Sequence, residues 1–421
     1  MTLPLPSGVR VRVMLSEGDA APRFLASIAR LPDGRTAWEW SPASLASGDD
    51  AGINVVKRQA PLIPGVHVVG RRELEGLPGA LFDSLPDAWG RLLTDRALRK
   101  RGVLSAQLHG IDRLAVVGDR GPGALSFVPD FPLGDDSSAA LDLDWLATEA
   151  ELLLDGNRAA PEALAELARV GGSAGGSRPK AWIAVNDVGY LRAGASTLRP
   201  GETGWLVKFR APRADPEDIG RLEYAYAKMA SAAGVDVPEP WLIETTRGAY
   251  FASKRFDRAG ERRVHVLTAA GLLDVAIEQA LAADYGDLLR LVRVVTRSET
   301  EVLAAFRLAV FNVLAHNRDD HLRQFAFMRE GGIWRRAPAY DLTFSEGPGG
   351  EHTLLVAGEG RRPSRSHLQA LGSKAGIKEG AVRAVLEGVT GAIARWEAFA
   401  KDVDVSASSR RRVRSALKAL A

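Results

Sequence analysis

Apolar and polar residues alternate from Val9 to Val13 and, less cleanly, from Phe24 to Leu31. A Pro-Asp-Gly turn at 32–34 then leads into Thr36 to Trp40. Alternation at period two marks strands with one buried face, so the opening predicts an antiparallel meander. Over Leu81 to Arg101 the pattern becomes helical, with Ser84, Pro86 and Asp87 as its N-terminal signal. The first unit therefore reads as α+β.

The stretch DFPLGDDSS (130–138) gathers Pro, Gly, Asp and Ser and marks a connection between units. Beyond it the pattern predicts helix through about Arg169, the loop GGSAGGSRPK (171–180), and strands at AWIAV (181–185) and WLVKF (205–209). A helix from about Pro216 to Ala233 precedes a hairpin formed by WLIET (241–245) and YFASKRF (250–256). After Asp257 the periodicity is helical, with Val302, Phe306, Val310 and Val313 on one face and Leu303 and Leu314 widening it. The expected division is an N-terminal α+β subdomain (1–135), a β-rich lobe (136–256) and a helical lobe (257–421). With 421 residues, several packed units are required, since one core stops growing at about 250–300 residues.

Composition changes this picture mainly by exclusion. There are no cysteines, which removes disulfides, thiolate zinc sites and cysteine nucleophiles and fits a reducing compartment. No signal-peptide pattern opens the chain and no long uninterrupted apolar run occurs, so a cytoplasmic protein without a membrane role is expected. The formal net charge is only +3, so a polyanion contact would have to be local. The one basic cluster, Arg410, Arg411, Arg412, Arg414 and Lys418, reads as the solvated face of a terminal helix.

The segment FNVLAHNRDDHLRQFAFM (311–328) carries the most chemistry: an amphipathic helix ends in a burst of polar residues before a short apolar strand. Phosphoryl transfer needs a carboxylate to accept the proton of the attacking hydroxyl and oxygen ligands for the metal on the phosphates. Asp319, with Gln324 five positions on, matches that need, and Asp341 follows one short β excursion downstream. Lys208, flanked by large apolar residues in WLVKF, suits a phosphate-neutralising charge, and Glu223 on the next helix suits its ion-pair partner. Taken singly, the first also reads as a snorkelling strand lysine and the second as a solvated helix glutamate. The Gly/Ser-rich loop ending in Lys180 offers free backbone N–H groups to a phosphate, or is a plain flexible connection; it is not a Walker A motif.

Several blocks in order resemble the HipA-like kinases, toxin components of bacterial toxin–antitoxin pairs. These are LFDSLPDAWGRLL (81–93), VVGDRGPGALSFVPD (116–130), GGSAGGSRPK, WLVKF, RLEYAYAKMASAAGVDVPEP (221–240), KRFDR (254–258), HNRDDHLRQF and APAYDL. The resemblance implies an α+β, two-lobed protein-kinase-like fold with an extra N-terminal β-rich subdomain and a helical C-terminal lobe. It implies ATP-dependent phosphorylation of protein serine or threonine, with Mg2+. By position, Asp319 would be the catalytic carboxylate, Gln324 and Asp341 the metal ligands, and Lys208 the phosphate-binding lysine. Lys254 and Phe256 would lie beside adenine, Asp257 near the ribose, and His321 and Asn317 would shape the catalytic loop. Ser173 matches an autophosphorylated serine in a loop that covers the nucleotide together with Gly175 and Gly176. The family usually places Asn where this chain has Gln324. Its studied members act on an aminoacyl-tRNA synthetase, typically the glutamyl enzyme, and are held by a helix-turn-helix antitoxin of HipB type, so that contact with DNA is indirect.

Two other readings compete. His316, Asp319, Asp320 and His321 put imidazoles and carboxylates within six residues, as a metal-dependent hydrolase would, although no HExxH accompanies them. A kinase-fold binding module that has lost activity through Gln324 is the third.

Overall fold

The meander read from the alternating start forms as β1 (Arg10–Leu15), β2 (Arg23–Arg30) and β3 (Thr36–Trp40). With β4 (Val66–Val69) and β5 (Leu125–Val128) they make an antiparallel sheet in the order β4-β3-β2-β1-β5. The alternation does what it promised: Val11, Val13 and Leu15 are buried while Arg10 and Arg12 face solvent. On β3, Trp38 and Trp40 are buried on one face with their ring centroids 4.9 Å apart, edge to face. A register shift between Val13 and Met14 marks a β-bulge against β2.

This computed structural model describes residues 2–18, 21–133, 141–157, 160–172, 178–193, 198–276 and 283–418. The chain divides into two compact units. The first comprises residues 1–214, 254–276 and 328–332, and the second 215–253, 277–327 and 333–421.

Within the first unit, the helix expected over 81–101 forms as a short turn Gly79–Phe82 and a helix Ala88–Lys100. Pro86 explains the break, because it removes a backbone donor and disfavours the helical region at Leu85. Asp87 takes the N-cap position, with Arg99 and Lys100 in the last turn where the helix dipole favours cations. The next helical stretch is also two helices, Leu143–Leu154 and Pro161–Gly171, because Gly156 adopts φ +83° and Pro161 opens the second. Three further strands follow: β6 (Lys180–Val185), β7 (Leu191–Ala193) and β8 (Thr203–Lys208). β6 lies between β7 and β8, antiparallel to both. Trp89 Nε1 donates to Lys180 O at 3.1 Å and so ties the Ala88–Lys100 helix to the start of β6.

The second unit contains the helix Ile219–Ala232 and the hairpin β9 (Pro240–Thr245) and β10 (Gly248–Lys254), of which Lys254 itself falls in the first unit. Gly220 lets helix and hairpin touch, since a Cβ there would lie 2.1 Å from Ala249 O. The helical character expected after Asp257 is met by Tyr285–Thr296, Glu299–Leu314, Arg365–Lys374, Glu379–Ile393, Trp396–Asp402 and Ala407–Lys418. Ser298 caps the Glu299–Leu314 helix by accepting from Glu301 N, and Val302, Phe306, Val310 and Val313 are all fully buried. Each such side chain contributes about 1.5–3 kcal/mol, so this stripe anchors the helix whose C-terminal end delivers the polar loop. Tyr226 is buried against Trp396, its hydroxyl donating to Ala315 O at 2.9 Å where that helix ends. The terminal basic helix buries Val413 and Leu417, while Arg410 and Arg414 reach Glu397. Among the described residues no helix is long and apolar enough to cross a membrane.

Candidate active site

The loop leaving the Glu299–Leu314 helix turns at His316, which takes φ +54°. Asn317 N donates to Asn312 O at 2.8 Å, and a parallel bridge pairs Asn317 with Ser345, so the loop lies beside the segment that follows Asp341. The His316 ring stacks on Phe344 at 5.2 Å with its Nε2 3.3 Å from Glu346. Burial, and then the nearby Arg318 guanidinium, lower the His316 pKa from its usual value, which favours the neutral ring.

The two adjacent aspartates differ sharply in exposure. Asp319 is 43% exposed, its Oδ1 3.8 Å from His321 Nε2. The Asp320 side chain is 0% exposed. It accepts from Tyr285 Oη at 2.7 Å, His352 Nδ1 at 2.8 Å and Thr353 N at 2.8 Å. Asp319 is therefore the more exposed carboxylate of the two, and Asp320 is committed to the interior.

Four residues after Asp320, the short helical turn Leu322–Gln324 brings Gln324 Nε2 to 2.9 Å from Asp341 Oδ2. Asp341 sits at φ +58°, a left-handed conformation that Asp tolerates better than most side chains. Tyr340 Oη donates to Arg323 O at 2.6 Å and holds the two segments together. The pair offers hard oxygen donors of the sort Mg2+ takes alongside phosphate oxygens and water. The amide now turns its nitrogen to Asp341, and a half-turn of its last torsion puts Oε1 there instead with the same shape. The residues present thus fit a magnesium ion.

The hydrolase-type cluster is corrected by the same geometry. Asp320 is consumed by three buried donors, His316 stacks on Phe344, and among the described residues no group of three or more His, Asp or Glu side chains is placed to hold a metal.

In the first unit Lys208 ends β8 at 9% exposure, and its cross-strand partner is Lys180, at 4%. Directly paired residues present their side chains to the same face of a sheet, so two buried ammonium groups share one side of it. The strands expected at 181–185 and 205–209 did not carry that signal, because matching their ends pairs Lys208 with Trp182, whereas the observed register pairs it with Lys180. Lys254 Nζ lies 5.9 Å from the Trp205 ring, and Phe256 is half-buried.

Asp257, expected near the ribose, sits in a buried ion-pair cluster. Its carboxylate is buried and accepts from Arg255 Nε and Nη2, from Arg258 Nη1 and from Gly123 N, all within 2.8–2.9 Å. Burial raises its pKa, but Arg255 and Arg258 outweigh that and hold it well below the carboxylate range. Arg258 and Arg263 also donate to Gly123 O, so the cluster braces the 121–123 loop, and Arg255 packs 3.9 Å above Trp182. Glu223 is buried on the Ile219–Ala232 helix of the second unit. Ser173, Gly175 and Gly176 lie outside the described residues. Sequence reasoning missed Tyr285, His352 and Thr353, which carry no motif and sit far from the loop in the chain.

A family model described as the HipA-like C-terminal domain matches residues 172–396. No curated protein sequence matches significantly. Among solved structures, the chain is similar to HipA of Shewanella oneidensis MR-1, from its complex with HipB and operator DNA, with a TM-score of 0.69 and 16% identity over 97% of this chain and 95% of that one. The proinflammatory kinase CtkA of Helicobacter pylori aligns with a TM-score of 0.32 and 13% identity over 50% of this chain and 92% of its own, too slight a likeness to argue from. At these identities the first likeness establishes the fold, which is the one expected from the sequence.

Proposed function

The chain belongs to the HipA-like family, whose domain model spans more than half of it, and from that membership we propose an ATP- and Mg2+-dependent protein kinase acting on serine or threonine. The observation that carries the proposal is the contact of Gln324 with Asp341 beside a loop that holds Asp319 outward and Asp320 inward.

Asp319 accepts the proton of the attacking hydroxyl and orients it. Gln324 and Asp341 would hold magnesium, which would supply positive charge to offset that of the phosphates. Lys208 and Lys180 neutralise phosphates as point charges, and Glu223 is the proposed ion-pair partner of Lys208. Lys254 and Phe256 border adenine, His321 lies near Asp319, and Ser173, which with Gly175 and Gly176 falls outside the described residues, is the proposed site of autophosphorylation. A HipB-type helix-turn-helix antitoxin is the proposed partner, because the similar Shewanella protein was solved with HipB and operator DNA. The chain would then be a cytoplasmic toxin that meets DNA only through that partner and phosphorylates a protein target such as an aminoacyl-tRNA synthetase.

Intact-mass spectrometry of phosphatase-treated protein with ATP and Mg2+ tests the reading. Wild type should gain a phosphate, Asp319→Asn should not, and Ser173→Ala should lose or relocate it. ATP binding without transfer would replace the kinase with a nucleotide-binding module, and failure to bind ATP would end the kinase reading.

A further inference from the structure

Behind the catalytic loop lies a buried polar chain that the proposed reaction does not use. Asn317 Nδ2 donates to Asn312 Oδ1 at 3.0 Å, Asn312 Nδ2 to Tyr285 Oη at 3.0 Å, and Tyr285 Oη to Asp320 Oδ2 at 2.7 Å. From the other side, His352 Nδ1 and Thr353 N complete the carboxylate's partners. A carboxylate only accepts, so Nδ1 carries the histidine hydrogen, and the ring is held in that tautomer. Asn312, Tyr285, Asn317 and Asp320 are all buried. Both Asp320 oxygens are thus occupied, by three donors from two separate stretches of chain.

We propose that Asp320 and Tyr285 are positioning residues for Asp319, and that the segment around His352 sets the catalytic loop through them. The proposal rests on the kinase reading. Asp319 is bonded directly to Asp320, so anchoring the Asp320 side chain in the interior restrains the backbone from which Asp319 projects, and with it the direction of the more exposed carboxylate. Tyr285 also meets Phe325 edge to face at 5.9 Å, immediately beyond Gln324. One phenol therefore touches both ends of the stretch that carries the proton acceptor and a metal ligand.

The 352–358 segment is itself pinned at the start of the Tyr285–Thr296 helix. Tyr285 N donates to Leu355 O at 2.8 Å, Leu355 N to Ala283 O at 2.9 Å, and Gly358 N to Asp284 Oδ2 at 2.8 Å. Movement of this segment pulls on His352 and Thr353, hence on Asp320, and hence on the angle at which Asp319 meets a hydroxyl. Transfer depends steeply on that angle, whereas nucleotide affinity does not.

The full chain with Tyr285→Phe, and separately with Asp320→Asn, decides this. Three readouts are needed: melting temperature, hydrogen exchange of peptides covering 316–324, and kcat and KM for ATP. Tyr285→Phe keeps the ring and removes the charge-assisted bond to Asp320 together with the acceptor of Asn312 Nδ2, so the expected result is about tenfold faster exchange in that loop and about tenfold lower kcat. KM for ATP should stay within about twofold and exchange elsewhere unchanged. Asp320→Asn should do more in the same direction. Wild-type exchange at 316–324 in Tyr285→Phe overturns the proposal, as does an exchange increase spread over the whole chain with a matching fall in melting temperature. If wild type transfers no phosphate, the kinase reading falls, and the exchange measurement still decides whether Tyr285 positions the loop.

Discussion

Replacing Gln324 with Asn tests whether the amide resting on Asp341 competes with the metal. The contact is 2.9 Å and partly exposed. Asn is shorter by one C–C bond of about 1.5 Å, which takes its amide beyond hydrogen-bonding distance of Asp341 unless the loop shifts. A hydrogen bond to a carboxylate contributes about 1.5–3 kcal/mol when buried, and partial exposure brings this one nearer 1 kcal/mol. In the metal-free protein Gln324→Asn should lose that amount, a fall of about 2–4 °C in melting temperature for a unit of this size. The same bond must be given up before magnesium takes Asp341, so its removal should tighten apparent Mg2+ affinity by about fivefold. Titration of Mg2+ against protein saturated with a non-hydrolysable ATP analogue, followed by calorimetry, reads the second number independently of turnover. A variant that requires more Mg2+ than wild type, with an unchanged melting temperature, would refute the competition and leave Gln324 as a plain ligand.

Asp319→Asn should lower phosphate transfer by about 10²–10⁴-fold, the range for removing a general base, while surface exposure keeps the stability change within about 0.5 kcal/mol; transfer kinetics alongside thermal melting check both. Asp257→Asn should destabilise the first unit by about 3–5 kcal/mol in denaturant titration, because Arg255 and Arg258 lose their buried counter-charge. The pH dependence has a definite sign. The folded pKa of Asp257 is depressed, so its contribution is full above the unfolded value of about 3.9 and is lost as pH falls below it toward the lower folded pKa. Wild type should therefore lose stability in acid more steeply than Asp257→Asn. Gly220→Ala should cost at least about 1–3 kcal/mol in the same assay, since the new Cβ meets backbone at Ala249 that cannot swing aside.

Side chains that answer to a local period were legible, and those that answer to distant chain were not. Val11, Val13 and Leu15 declared their strand by alternation, and Val302, Phe306, Val310 and Val313 declared their helix, because burial of one face imposes a repeat on the sequence. Asp319, Gln324 and Asp341 stood out because polar residues interrupt such repeats at spacings that phosphate chemistry explains. The surroundings of Asp257 were not legible for the opposite reason: KRFDR is a compact motif, but the bonds that fix its carboxylate include Gly123 N, which no spacing rule connects to it. Asp320 shows the limit most clearly. Its chain neighbour faces solvent and it faces Tyr285, His352 and Thr353, so two adjacent identical residues differ in role only through partners about thirty residues away on either side. A buried carboxylate without those donors would cost several kcal/mol, which means that the loop holding Asp319 forms only once both flanking stretches have packed. The geometry of the site is thus a product of tertiary assembly, although its candidate groups Asp319, Gln324 and Asp341 can be picked out from the sequence.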